Sequence, residues 1–262
     1  MAAPGVLSMD AKTRGLLATV GGTILWLGCG AASATPPDTS SMPQLALPQA
    51  IAPDDASQPP VKLAFTVTGA TDYLFRGVSQ TENDPAIFGA ARASYDNFYL
   101  GVGVENVNFH NSTNAEYDLS AGWTPIVYGF RLDLGVIRYG YIDEPSHTEI
   151  ATTEAKAVVL HDFGPATLAV AAFYAGNFFG SGHPATYLEG RGSYRISRKL
   201  TLSGAGGHQT VDSGKDHWTW NGGVTYAFAK AVGLDLRYTD TDQHELGRAY
   251  GSRFTVAIKA SF

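Results

Sequence analysis

The chain is almost without cysteine. One residue, Cys29, stands in 262, and it falls in an N-terminal stretch that reads as an export signal. The remainder has no cysteine for a disulfide framework or for thiolate chemistry. Charge is also scarce, at 16% of residues, and the net balance is acidic at -6. A chain of this charge has no basic excess to meet phosphates, so no nucleic-acid partner is expected. Long apolar runs are missing beyond the N-terminal stretch. No later segment stays apolar over the roughly 18 residues that a membrane-spanning helix needs. Solenoid-type helical repeats are missing as well.

What is abundant points to strands. There are 30 Gly, 13 Phe and 13 Tyr, and 44% of residues are hydrophobic. Gly with aromatics, in the absence of long helical patterns, predicts an all-β chain with many turns.

The N-terminal stretch has the three parts of a secretory signal. Lys12 and Arg14 form a positive head, Gly15 to Gly28 an apolar middle, and Ala32-Ser33-Ala34 a small-residue cleavage site. Residues 1–34 are therefore read as a signal peptide, with Met9 an alternative start. The alternative is a lipoprotein signal ending at Cys29, although Trp26 stands where a lipobox carries Leu. Residues 35–60, with Pro36-Pro37, Pro43, Pro48, Pro53 and Pro59-Pro60, read as a disordered periplasmic leader. Residues 61–262 then form the folded unit.

The most informative stretch of that unit is its last. Phe254, Val256, Ile258, Ala260 and Phe262 occupy even positions, while Arg253, Thr255, Lys259 and Ser261 occupy odd ones. This is a period-two strand with one apolar and one polar face, and it runs to an aromatic final residue. An outer-membrane barrel needs such a strand, because an open sheet edge in lipid leaves backbone groups unsatisfied. A terminal Phe262 on that strand resembles the signal read by the barrel-insertion machinery of Gram-negative bacteria.

Reading back from it, about twelve segments of roughly ten residues alternate in the same way, the length of a tilted β-span. Tight turns near Asp96, Pro125, Gly164, Arg198 and Lys230 alternate with longer polar loops near Gln80, Ser112, Pro145, Gly182, Ser213 and Gln243. Short periplasmic turns and long outer loops give this alternation. The expected fold is a transmembrane antiparallel up-and-down β-barrel of about 12 strands, closed by the strand ending at Phe262. Both termini are expected in the periplasm and the barrel in the outer membrane. Tyr73, Phe75, Tyr95, Phe98, Trp123, Tyr128, Trp218 and Phe228 are expected in interfacial girdles. The alternation slips at Ile137-Arg138, where a bulge or a change in environment is expected.

The polar parity carries charges of both signs: Arg76, Arg92, Glu116, Asp118, Arg131, Asp133, Glu154, Lys156, Glu189, Arg191, Arg195, Asp235, Arg237, Arg253 and Lys259. In an inverted barrel these side chains line the lumen as a polar path with an ion-pair network. Catalytic residues, a cofactor and a metal are not expected. Ser213 with His208 or His217, and Asp240, Asp242 and His244, are the loop clusters that an outer-membrane lipid- or peptide-hydrolysing enzyme would have to use. Their spacing carries little, since loops are commonly rich in Asp and His.

The run Tyr73-Leu74-Phe75-Arg76-Gly77-Val78-Ser79-Gln80-Thr81, followed by Asp84-Pro85-Ala86, resembles the opening of the TorF-type porin family. Phe98-Tyr99-Leu100-Gly101-Val102, Asn106-Val107-Asn108-Phe109 and Glu116-Tyr117-Asp118-Leu119 continue the resemblance, which covers mainly residues 66–142. It implies a proteobacterial outer-membrane barrel and names no solute; the Pro-rich leader looks like an addition to the family pattern. The function expected is passive diffusion of small hydrophilic solutes or ions, with outer-membrane lipid around the barrel. The alternative is a plugged structural or adhesive barrel.

Overall fold

The computed structural model describes residues 61–145, 150–212 and 214–262. The expected signal peptide and leader lie outside the described residues. Twelve strands carry the fold: β1 (Lys62–Ala70), β2 (Ala86–Tyr95), β3 (Phe98–Asn106), β4 (Ala115–Trp123), β5 (Phe130–Ile142), β6 (Thr152–Phe163), β7 (Ala166–Ala175), β8 (Ala185–Arg195), β9 (Leu200–Val211), β10 (His217–Ala227), β11 (Val232–Thr241) and β12 (Arg253–Ser261). Each pairs antiparallel with its sequence neighbours. A further two-residue strand, Ile126–Val127, folds back on the start of β5.

The sheet closes on itself. β12 pairs with β1 from Thr66↔Ser261 to Ala70↔Ala257. Beyond that ladder Phe65 and Phe262 exchange backbone hydrogen bonds of 2.9 and 3.1 Å. The apolar end of the chain thus seals the seam, as the period-two pattern predicts. Closure leaves no open edge, which hydrocarbon would not tolerate.

The barrel is inverted relative to a soluble one. On β12 the apolar Phe254, Val256 and Ile258 are exposed, while Thr255 and Ala257 are buried. The same holds around the ring: Leu100, Val170, Leu188 and Leu236 face out, whereas Glu116, Glu154, Glu189 and Arg237 are buried inside. This apolar-out, polar-in alternation is that of a transmembrane barrel. Of the eight aromatics assigned to girdles, Tyr95, Phe98, Trp123, Tyr128, Trp218 and Phe228 are exposed at strand ends.

Tyr73 and Phe75 are not. Both are buried, and their segment does not span the wall. Instead residues 71–85 turn into the lumen, and Leu74–Phe75 pair with Val78–Ser79 as a small hairpin. Its turn residues Arg76 and Gly77 both have positive φ, 50° and 84°. Two left-handed central residues make a type I′-like turn, the tightest way to reverse a twisted pair.

The expected bulge at Ile137-Arg138 is also absent. β5 pairs without interruption from Leu134 to Ile142 against β4 and from Arg131 to Tyr139 against β6. The slip instead reflects the other expected cause, a change in environment. Ile137, Tyr139 and Tyr141 are apolar residues on the inner face, where they pack against the buried Tyr73, Phe75 and Phe88. Part of the hydrophobic core therefore lies inside the barrel, around the hairpin.

Candidate functional site: the lumen and its inserted hairpin

The hairpin reaches from the β1–β2 connection to the opposite wall. Arg76 is 1% exposed. Its Nη2 donates to Glu154 Oε2 on β6 at 2.5 Å, and its Nη1 to Gln209 Oε1 on β9 at 2.6 Å. The guanidinium carbon lies 4.6 Å from the ring centres of both Phe75 and Tyr187. His217 Nε2 on β10 hydrogen-bonds the Arg76 carbonyl at 3.0 Å. A non-glycine residue at positive φ carries backbone strain of about 1–3 kcal/mol. The charge-assisted bonds of Arg76 offset that strain and hold the turn against the far wall.

The base of the hairpin is held as firmly. Ser79 Oγ donates to Asp72 Oδ1 at 2.6 Å, and the Tyr73 N–H donates to Thr81 Oγ1 at 3.1 Å. Arg253 Nη1 on β12 meets Asp72 Oδ2 at 2.8 Å. The Tyr73 ring stacks edge-on to Phe88 at 5.2 Å, and its hydroxyl donates to Glu116 Oε1 at 2.9 Å. Phe75 packs edge-on against Tyr139 and Phe179 at 5.7 and 5.6 Å.

Toward the short-turn end the wall carries ion pairs rather than an apolar core. Lys156 Nζ meets Asp133 Oδ2 at 2.7 Å, and the Tyr99 hydroxyl donates to Asp133 Oδ1 at 3.0 Å. Arg92 lies flat over the Tyr99 ring, 3.6 Å from its centre. Arg131 pairs with Asp162 at 2.8 Å. Arg191 Nε is 3.4 Å from Glu189 Oε1, and the Tyr187 hydroxyl donates to Glu189 Oε2 at 3.0 Å. Arg237 binds Asp235 at 3.0 Å, Asn221 at 2.8 Å and Ser203 at 2.9 Å. Arg195 and Lys259 are partly buried on the inner parity of β8 and β12. Lys259 has no ion-pair partner among the described residues.

The fifteen charged positions singled out from the sequence thus fall on the inner side of the barrel. Fourteen belong to its wall; Arg76 sits on the hairpin instead of on a strand. Sequence reading missed the hairpin's own Asp72 and Tyr73, and the wall residues Glu105, Asp162, Gln209 and His217 that join the networks. Glu105 and Asp162 could have been found, because each shares the polar parity of its strand. The hairpin had one local signal, Arg-Gly between Phe75 and Val78. Without flanking alternation that pair does not announce a hairpin.

Among the described residues the hydrolase clusters do not assemble. His208 stacks on Trp218 with ring centres 4.3 Å apart, and His217 is occupied by the Arg76 carbonyl. Asp242 accepts the Trp218 N–H at 2.8 Å, and Asp240 pairs with exposed His244 at 2.6 Å. Ser213 lies outside the described residues.

Porins are among the solved structures that align with this barrel. The KdgM porin aligns with TM-score 0.56 at 11% identity, over 76% of this chain and 99% of that one. KdgM porin in complex with disordered oligogalacturonate aligns at 0.55 and 11%, over 76% and 99%. The NanC porin aligns at 0.52 and 12%, over 76% and 98%. At such identities the likeness establishes the fold. The sequence matches no curated protein. It does match the profile of a bacterial family across residues 54–262, the whole barrel included, and the chain therefore belongs to that family, the bacterial proteins of unknown function called Gcw_chp.

Proposed function

We propose that this protein is a narrow outer-membrane pore for passive diffusion of small hydrophilic solutes or ions. One observation carries the reading: a closed barrel with an apolar outside has an inner wall rich in charged and polar side chains, interrupted by an apolar cluster around the hairpin. A purely structural barrel could be filled with apolar side chains, and buried charges are costly unless they are paired. The path for a solute runs along Arg92, Arg131, Asp133, Lys156, Glu189, Arg191, Arg195, Asp235, Arg237 and Lys259, then past Asp118 and the hairpin held by Arg76, Glu154, Glu116 and Arg253. The hairpin makes this a constricted pore. The likeness to KdgM and NanC supports the reading, and so does the resemblance of the Tyr73–Thr81 run to the TorF-type porins.

Export by the 1–34 signal and insertion through the Phe262 strand would bring the barrel to the outer membrane of a Gram-negative cell. Short turns and both termini then face the periplasm and the long loops face outward. Planar-bilayer recording of the purified protein tests the function. Discrete conductance steps, reduced by small sugars or organic ions that enter the lumen, are expected. A folded, inserted barrel that never conducts at any voltage would overturn the proposal.

A further inference from the structure

The inner wall beside the hairpin brings three acidic side chains together. Glu105 on β3 and Glu116 on β4 are directly opposed across the ladder, and Asp118 is the next inward residue on β4. All three are buried, at 6%, 2% and 3% exposure. A carboxylate oxygen from each lies within 4.8 Å of the others. Like charges facing each other across a strand pair repel, and burial strengthens the repulsion. Elsewhere in this lumen acids meet cations, as at Glu154–Arg76 and Asp133–Lys156. These three meet no Lys or Arg among the described residues.

A second observation points to a missing partner. Asp118 Oδ1 is fully buried and has no hydrogen-bond partner among the described residues, although its side chain turns into the cluster. Buried acceptors without partners are rare and mark a place for water or an ion. The inward residue opposite Asp118 on β3 is Gly103, and the next on β2 is Ala90, so the neighbouring strands set no long side chain across from it.

From this geometry we infer that Glu105, Glu116 and Asp118 bind a hard divalent cation, with calcium the best fit. Calcium takes oxygen ligands at about 2.3–2.6 Å, so two ligands on one ion stand at most about 5 Å apart, which the cluster satisfies. The donors are all carboxylate oxygens, which excludes the soft-metal class. Three carboxylates offset a charge of two, and the ion relieves the repulsion between the two glutamates. Glu116 also accepts the Tyr73 hydroxyl, so a bound cation would fix the residue on which the hairpin rests. Binding is independent of whether the barrel conducts.

Terbium, which takes calcium's oxygen ligands and glows when excited through nearby tyrosine, provides the probe. Tyr73, whose hydroxyl donates to Glu116, would sensitise it. The full-length barrel in detergent, titrated with Tb3+, should give a saturable signal that calcium abolishes. Glu116→Gln with Asp118→Asn should weaken the apparent affinity by about tenfold or more. Asp240→Asn, in the exposed outer cluster, should leave it unchanged. Heat-modifiable gel mobility reports whether each variant is folded; if the double variant is not, Glu105→Gln replaces it. A wild-type barrel without a calcium-displaceable signal overturns the inference. So does a folded double variant that binds like the wild type, or a signal lost in Asp240→Asn instead.

Discussion

Ile258 and Lys259 are chain neighbours with opposite surroundings. Ile258 is 52% exposed on the outer face, whereas Lys259 turns into the lumen. If the outer face meets hydrocarbon, Ile258→Arg should destabilise the inserted barrel by about 2–4 kcal/mol near the midplane, measured as a shift in urea unfolding from vesicles. Single cysteines separate the two faces directly, since Cys29 is the one cysteine and lies in the expected signal. Lys259→Cys should react with a small water-soluble thiol reagent, and Ile258→Cys only with a lipid-soluble one. The reverse pattern would make the apolar face an interior. Arg76 shows a different residue-scale effect. Arg76→Ala leaves Glu154 buried without its cation, a loss of about 3–5 kcal/mol for a buried pair. The loss falls on the docked hairpin, because none of the barrel ladders includes Arg76.

At the scale of the element, the hairpin is decided by fit. Gly77 combines a positive φ of 84° with a position against the wall, where an added Cβ would meet Thr219 of β10 and Thr241 of β11. Gly77→Val therefore has neither the backbone region nor the space that it needs. The hairpin should leave its seat, and single-channel conductance should rise while heat-modifiable mobility stays that of a folded barrel. Unchanged conductance in a folded Gly77→Val barrel would mean that the hairpin does not constrict the path. The same packing explains β5. Its ladder is regular, yet its inward side turns apolar at Ile137, Tyr139 and Tyr141, where it faces the hairpin cluster. The inner face of a strand in a membrane barrel can be apolar where something apolar fills the lumen beside it.

For the whole molecule, the lumen's field is the testable property. Arg191 and Arg195 lie on the inner parity of β8, Arg191 beside Glu189. Replacing both with Glu changes the local charge by four units, counted from two cations lost and two anions gained. Pore-lining charge sets ion preference, so reversal-potential measurements in a salt gradient should shift toward cations. A conducting double variant with unaltered selectivity would remove these residues from the path. Fractionation tests location: the mature chain should be recovered in the outer membrane, beginning after Ala34. Recovery in the soluble periplasm would contradict the barrel's placement in lipid.

The wall was legible in the sequence, because a two-residue period is a local property. Phe254, Val256 and Ile258 against Thr255 and Lys259 specify which side chains share a face, and repetition of that pattern with alternating short and long connections implies a closed even-stranded barrel. The inner charges followed from the same parity. What the local pattern could not carry was the filling of the lumen. Tyr73, Leu74 and Phe75 are apolar in succession, and their burial depends on partners such as Glu154, Gln209 and His217, far along the chain and brought near by closure. Likewise Glu105 and Glu116 are ordinary polar-face residues in sequence, and only the strand register sets them opposite one another beside Asp118. Periodicity decided the faces of each strand; the three-dimensional closure of the ring decided what those faces enclose.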